Sequence, residues 1–492
     1  MKRKTGDRVR SRTVRSTAVF LCLLLLSVLF VTACSGSRKP SVTTAESTNA
    51  VESGGESAEF DAVRDIPSKD LNRDFTVLSS FDLGWLEAEN SGDKVETAIY
   101  RRTMLAEDKY NMSFYISNAS GSVYPSLQAA TLANDKSFDL VFPHPTDSMV
   151  TIMTSGYYAN LTDLQNMDLS KPWYNQSQVQ NYTTQGNKLY IVTPDISIPN
   201  QGFFCLVYNR ELYAQFNFAD DVTELVNQGE WTAEKFNEIL TVTDFELDGD
   251  PLGNENYGFL CNAAPSHRWT YAFGESTLVK KADGSFEVGL STKNMSQIAA
   301  TYDQLLYTHG DSVQVDFYYN AGIATSRNVS LFKAGHGLFI NWDVGSCYSE
   351  LRGLEFKMGY APLPKLNDSQ KEYRVICASG FYAIPYITTN AEESALIMEF
   401  LSGYSYQYLR QAFFEVVIHA RMSESQEDYD MLEFLHNSKF FDFGYTLDES
   451  EVFVNMLSKA VVDNRNPSSV AVILKGNSNA FHQILEYANN MP

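Results

Sequence analysis

The stretch "DFELDGDPLGNE", Asp244 to Glu255, places acids at loop positions 1, 3, 5, 7 and 12 around a turn glycine at position 6. Asp244, Glu246, Asp248, Asp250 and Glu255 thus have the spacing of the oxygen ligands that wrap calcium in an EF-hand loop. Pro251 at position 8 departs from that pattern, where an aliphatic residue is usual. Two readings stay open, a structural Ca2+ site and a solvated acidic turn. Catalytic signatures are missing elsewhere. There is no GxSxG, no HExxH, no CxxC and no Gly-Lys dipeptide, and the seven histidines are scattered. Nothing here requires a cofactor, and the local motifs of acyl transfer, zinc proteolysis and phosphate binding are absent. Paired carboxylates for glycoside hydrolysis leave no local signature, so a polysaccharide-active enzyme stands as the alternative to a binding protein.

Cys34 is the other reactive group. Lys2, Arg3, Lys4, Arg8, Arg10, Arg12 and Arg15 make a basic start, and Ala18 to Val31 is apolar apart from Ser27. A run of about 14 residues is short for a bilayer span and suits the apolar region of a secretory signal. Val31-Thr-Ala-Cys34 then resembles the bacterial lipobox. That resemblance implies a signal peptide over 1–33 and diacylation of Cys34. Two acyl chains would hold the body at the outer face of the cell membrane, or on the periplasmic side where an outer membrane exists. Residues 34–69 are rich in Ser, Thr and Glu and read as a disordered spacer.

Charge narrows the partners. Losing a leader of +6 takes the net charge from −22 to −28. Such a surface repels phosphate backbones, so nucleic acid is excluded as a partner, and the lipid anchor is the expected contact with the membrane. With 44% hydrophobic and 13% aromatic residues the body has ample core, and residues 70–492 are long enough for two domains or lobes. Cys205, Cys261, Cys347 and Cys377 permit three pairings, but their spacing suggests buried free thiols.

The elements follow an α/β rhythm. Phe75 to Phe81, Ser113 to Ile116 and Phe138 to Phe142 read as strands, with helices from Asp93 and over Ser126 to Asn134 between them. Asp93 with Glu96 forms a plausible capping box over the stripe Val95, Ala98, Ile99, Arg102 and Leu105. Leu189 to Val192, Phe203 to Tyr208, Leu338 to Trp342 and Phe356 to Tyr360 continue the strands. Thr232 and Asn390 are helix caps, and the chain after Tyr404 reads as helical. This order predicts mainly parallel sheets covered on both faces.

The motifs "FDLVF", "SGYYANLTDL", "LVYNRELY", "WTAEKFNEIL", "LFKAGHGLFINWD", "MGYAPLPK" and "SGFYAIPYITTNAEESALIMEFL" occur in that order. The chain in this respect resembles the extracellular solute-binding proteins of ABC importers, in the branch that includes maltose-binding protein. The resemblance implies a periplasmic-binding-protein-like fold with two α/β lobes, a hinge and a ligand cleft between the lobes. It also implies a sugar or oligosaccharide ligand, delivery to the permease's transmembrane subunits, and a monomer that catalyses nothing. Lobe one is expected at about 70–195 plus 315–365, and lobe two at about 196–314 plus 366–492. Ligands of open α/β sheets bind beyond the carboxyl ends of the strands. That rule selects Asp82 and Trp85, His144 and Asp147, and Asn341, Trp342 and Asp343. Aromatic faces stack on sugar C–H faces, which adds Trp173 and Tyr174 in "KPWYNQS" and a loop-borne Trp269 in "SHRWTYAFGE".

Overall fold

The computed structural model describes residues 61–491, except 81, 82, 85, 87, 120, 145–147, 244–255, 317–326, 352–353, 378 and 420–424. Cys34, Asp82, Trp85, Asp147 and the acidic loop Asp244 to Glu255 lie outside the described residues. The last residues of the expected spacer are ordered against the body. Ala62 is buried, and its N–H donates to Gln407 Oε1 at 2.7 Å.

Three parallel strands, β1 (Arg73–Ser79), β2 (Met112–Asn118) and β3 (Leu140–Phe142), form the first sheet in the order β2-β1-β3. Asp93 starts the helix Lys94–Tyr110 by accepting the N–H groups of Val95 and Glu96 at 2.8 and 3.2 Å. The second half of the expected capping box is rerouted. Glu96 bonds the Ser91 hydroxyl, and Ser91 Oγ takes the Asp93 N–H. The buried stripe runs through Val95, Ala98, Ile99, Arg102 and Ala106, so Leu105, expected on it, is half exposed. Arg102 is buried to its guanidinium, which donates to Ile196 O and Ser405 Oγ, both at 2.8 Å.

The second sheet is built from β4 (Phe204–Asn209), β5 (Tyr257–Asn262), β8 (Val313–Asp316), β9 (Gly337–Asp343) and β10 (Met358–Ala361). A hairpin of β6 (Leu278–Lys280) and β7 (Phe286–Val288) lies apart from it. The order is β10-β4-β9-β5-β8, with β5 parallel to β8 and β9, and β4 antiparallel to β9 and β10. Every residue of β4, β5 and β9 is buried, as expected for strands covered on both faces. At Gly359 any Cβ would stand 2.2 Å from the Tyr208 ring, so that cross-strand position admits only glycine. Trp231 is core, as its place before a capped helix suggests, and its Nε1–H donates to Pro362 O at 2.8 Å. Cys205, Cys261, Cys347 and Cys377 are free and buried.

The lobe boundaries differ from the expected ones. Residues 315–365 were expected in lobe one, yet β9 and β10 are hydrogen-bonded to β4 and β5 in the second sheet. The chain returns to the first sheet later, where Ala383 bridges Val141 and Tyr382 bridges Val192. Helix Ala391–Tyr404 then packs on helix Lys94–Tyr110. Strand pairing is a long-range choice, and order along the chain does not fix it. Lobe two also receives the C-terminal helices. Ser469–Gly476 packs on Thr292–Tyr307, and Asp428 of helix Gln426–Asn437 pairs with Arg210 at 2.8 Å. Two more short strands, β11 (Val375–Ile376) and β12 (Lys439–Phe440), pair in parallel where the chain passes between lobes. Among the described residues no helix is long and apolar enough to cross a membrane.

Candidate functional site

The carboxyl ends of both sheets meet along one seam. On the first sheet, the Ser80 N–H donates to Phe142 O at 3.1 Å, and the His144 N–H donates to Ser80 Oγ at 3.2 Å. These bonds tie the exits of β1 and β3 together. On the second sheet, the Val344 N–H donates to Phe203 O at 3.1 Å, joining the exit of β9 to the entry of β4. The lobes are stitched beside these ends by the Gly202 N–H, which donates to Ser379 Oγ at 3.0 Å. Gly380 next to it has φ +81°, and a Cβ there would lie 2.9 Å from Ser197 Oγ, so the seam is closely packed. A further bond crosses between lobes. The Val150 N–H, in helix Met149–Thr154 of lobe one, donates to Glu449 Oε1 at 3.0 Å, in the loop before helix Val452–Ser458 of lobe two.

Polar side chains converge on the lobe-two side of this seam. Beyond β5 the chain turns into helix His267–Ala272. Arg268 places its guanidinium 4.4 Å from the centre of the Phe204 ring, at the entry of β4 opposite Asp343. His267 stacks on Tyr445 with centroids 5.4 Å apart and planes 13° from parallel. Burial and the Arg268 charge hold the His267 imidazole neutral, with its pKa well below the usual value. Both its ring nitrogens are buried without a hydrogen bond. Tyr445 is positioned by Asp442, whose Oδ1 accepts the Tyr445 N–H at 2.8 Å and whose Oδ2 accepts the Thr277 N–H at 2.6 Å. Burial pushes the Asp442 carboxyl up to about 6.

The candidates chosen from sequence scatter. His144 and Asp343 lie at strand exits on the seam. Trp342 lies one residue before the end of β9, opposite Cys205, but it is 1% exposed and presents no open face in this structure. Asn341 is structural. Its Oδ1 accepts the Asn262 N–H at 2.6 Å and its Nδ2 donates to Asn262 O at 2.9 Å, extending the β5–β9 pairing. Trp269, expected on a loop, is helical and fully buried among Phe236, Phe259, Phe273 and Tyr302. Its polar flanks misled because Ser266 and His267 are themselves buried. Trp173 and Tyr174 lie away from the seam. Trp173 lines a separate cavity of about 270 Å3 with Asp168, Lys171 and Glu399, and the Tyr174 hydroxyl donates to Glu399 Oε2 at 2.7 Å. Sequence reasoning missed His267, Arg268 and Tyr445. "SHRW" was read for its tryptophan, and nothing local announces that Tyr445 packs there. Among the described residues no cluster of carboxylates, cysteines and histidines could hold a metal ion.

Glu399 carries a pH prediction. Burial pushes its carboxyl up to about 7, against the lowering by the Tyr174 hydroxyl. The folded state therefore retains a proton that the unfolded chain loses near its ordinary value. This contribution to stability is full at acid pH and is lost as pH rises toward about 7. Glu399→Gln keeps the acceptor and removes the titration, so it should gain roughly 2–3 kcal/mol relative to the native chain between pH 4.5 and 8. Denaturant melts at both pH values check this, and a mutant with the native pH slope would exclude a proton on Glu399.

Solved structures of the same architecture were found, whereas no protein-family model and no curated sequence matches the chain. The maltose/maltodextrin-binding domain MalE from Bdellovibrio bacteriovorus, bound to maltotriose, is 14% identical with a TM-score of 0.52, over 84% of this chain and 100% of that one. UgpB from Mycobacterium tuberculosis, in complex with glycerophosphocholine, is 15% identical with a TM-score of 0.55, over 84% and 98%. The cyclic alpha-maltosyl-1,6-maltose binding protein from Arthrobacter globiformis is 13% identical with a TM-score of 0.55, over 86% and 100%. The chain has the two-lobed fold of these solute-binding proteins.

Proposed function

We propose that the protein is the substrate-binding lipoprotein of an ABC importer, capturing a sugar or oligosaccharide between its lobes and delivering it to a membrane permease. The observation that carries this reading is the seam. Two open sheets direct their carboxyl ends to one place, which is where α/β folds bind ligands, and His267, Arg268 and Asp343 bring donors and acceptors there. Carbohydrate is favoured because similar folds hold maltotriose and a cyclic maltosyl sugar. The glycerophosphocholine complex shows that this fold also takes a phosphodiester of a polyol, so the fold alone does not set the ligand. A neutral imidazole donates at one nitrogen and accepts at the other, which matches a hydroxyl group.

The test is a thermal-shift screen of the full chain over mono- and oligosaccharides. A ligand that binds only the folded state stabilises it by about 2.7 kcal/mol at a hundred times its Kd. A melting point unmoved by every sugar, with a clear rise for a polyol phosphodiester, would replace the ligand class. Hydrolysis of a bound oligosaccharide would replace binding by catalysis.

The anchor is tested separately. Cys34→Ser removes the acylation site, so the protein should pass from the membrane fraction to the medium or periplasm. Retention on membranes after a salt wash would refute the lipobox reading.

A further inference from the structure

The segments that pass between the lobes are joined by a buried polar cluster that neither ligand capture nor the apolar core requires. Asp195 and Gln201 come from the first passage, Cys377 follows β11 in the second, and His436 and Lys439 come from the lobe-two segment that ends helix Gln426–Asn437 and begins β12, which pairs with β11. Lys439 Nζ donates to Gln201 Oε1 at 2.6 Å and stands 2.9 Å from His436 Nε2. The same Nε2 stands 3.0 Å from Asp195 Oδ1. The Gln201 amide donates to Pro194 O at 2.7 Å. All four side chains are buried.

Nε2 thus sits between an ammonium and a carboxylate. A neutral ring offers it either a lone pair to Lys439 or a proton to Asp195, never both. His436 Nδ1 and Asp195 Oδ2 are also buried without a hydrogen bond. A buried network satisfied only in part is costly and marks a place where structure has been kept for another purpose. Among the described residues, Asp343 and Arg268 act with opposite sign on Cys377, and Glu433 is the acid beside Arg410. Arg410, paired with Glu433 at 3.8 Å, adds positive potential to both His436 and Lys439. Arg102 binds the carbonyl of Ile196. Cys377 is a buried thiol pushed toward its neutral form by burial. Helix Val344–Glu350 packs on the first passage, and the charged neighbours of its Glu350 are Asp343 and Lys333. Phe203 and Phe414 close the ring edge-on at 6.0 and 5.9 Å.

We propose that this cluster is a proton-operated lock on the hinge: a neutral His436 holds the two passages against the β12 segment in the packing seen here, and protonation of His436 loosens them and opens the cleft. The proposal rests on the cleft-binding reading for its consequence, weaker ligand retention below neutral pH. The sign follows from burial first and then from Lys439, which together hold the ring near a pKa of about 4. A ring that hinge opening exposes to water returns toward roughly 6.5, so opening takes up a proton and is favoured as pH falls. Between pH 7.5 and 5.5 this linkage amounts to about a tenfold increase in the open population.

Hydrogen exchange read by mass spectrometry on the full chain in detergent tests this without any sugar, so its failure is separate from failure of the binding reading. After correction for the intrinsic pH dependence, peptides covering 195–203, 375–380 and 436–441 should exchange about tenfold faster at pH 5.5 than at 7.5. Peptides of β1, β4 and β5 should not change, and His436→Gln should abolish the difference. Equal protection of these three segments at both pH values in the native chain overturns the lock, and that arm holds even if the variant does not fold. Loosening spread through both sheets, or a response that persists in His436→Gln, also overturns it.

Discussion

Trp269→Ala lowers the unfolding free energy by about 3–5 kcal/mol, the range for truncating a buried aromatic. The indole is fully buried and lies 5.4 to 6.4 Å from the ring centres of Tyr302, Phe273, Phe259 and Phe236. Deleting it removes apolar contact on several sides and leaves a void that rigid neighbours cannot fill. These four rings come from helices Ala233–Val242 and Thr292–Tyr307, from β5, and from the residue that ends helix His267–Ala272, so the cavity cannot close by moving one loop. Guanidinium unfolding should show a lower midpoint with an unchanged slope. Ligand affinity of the folded fraction should stay within a few-fold of native. A loss under 1 kcal/mol accompanied by a large loss of binding would return Trp269 to the ligand site.

Lys439→Met has an effect of similar size by a different route. Its ammonium is the cation that Gln201 and the His436–Asp195 pair are built around. Burial pushes the Asp195 carboxyl up, but His436 first and then the Lys439 charge hold it below its usual pKa. Removing the cation from this buried set leaves the Asp195 carboxylate to the His436 ring alone at hydrogen-bond distance and costs about 3–5 kcal/mol. Asp195→Asn in the same chain removes the orphan charge and should restore most of that loss. The double-mutant cycle should give a coupling above about 1 kcal/mol. Additive effects would mean that the two groups do not interact, and the cluster would then be two unrelated buried polar residues.

Much of the fold was legible where the signal was local. The buried strands read as continuous apolar runs in "FDLVF", "LVYN" and "LFINW", and Asp93, Thr232 and Asn390 cap helices at the residues their types suggest. Lobe membership was not legible. Whether Gly337–Asp343 joins the first or second sheet depends on its pairing with β4 and β5, and apolar strands of either sheet look alike. The site was only partly legible for a related reason. Strand ends could be found, and His144 and Asp343 lie just beyond β3 and at the end of β9. Solvent exposure of an aromatic cannot be read from polar neighbours when those neighbours are buried too. Ser266 bonds Tyr302, and His267 lies against Tyr445, so "SHRW" looked like a loop and is a helix start. The hinge cluster was invisible for the plainest reason, since His436 and Asp195 are 241 positions apart.

The central claim is that a sugar is held between lobes that close on it, and an interlobe distance tests this most directly. Leu132 on helix Tyr124–Ala133 of lobe one and Val472 on helix Ser469–Gly476 of lobe two are 79% and 72% exposed. The four cysteines of the described body are buried. Cysteines substituted at Leu132 and Val472 can therefore carry a donor and an acceptor dye on the full chain. Titration with maltotriose, maltotetraose and longer oligosaccharides should change the transfer efficiency saturably for at least one sugar, with the midpoint equal to its calorimetric Kd. Sugar binding that leaves the efficiency unchanged, or no response to any sugar, would contradict the account.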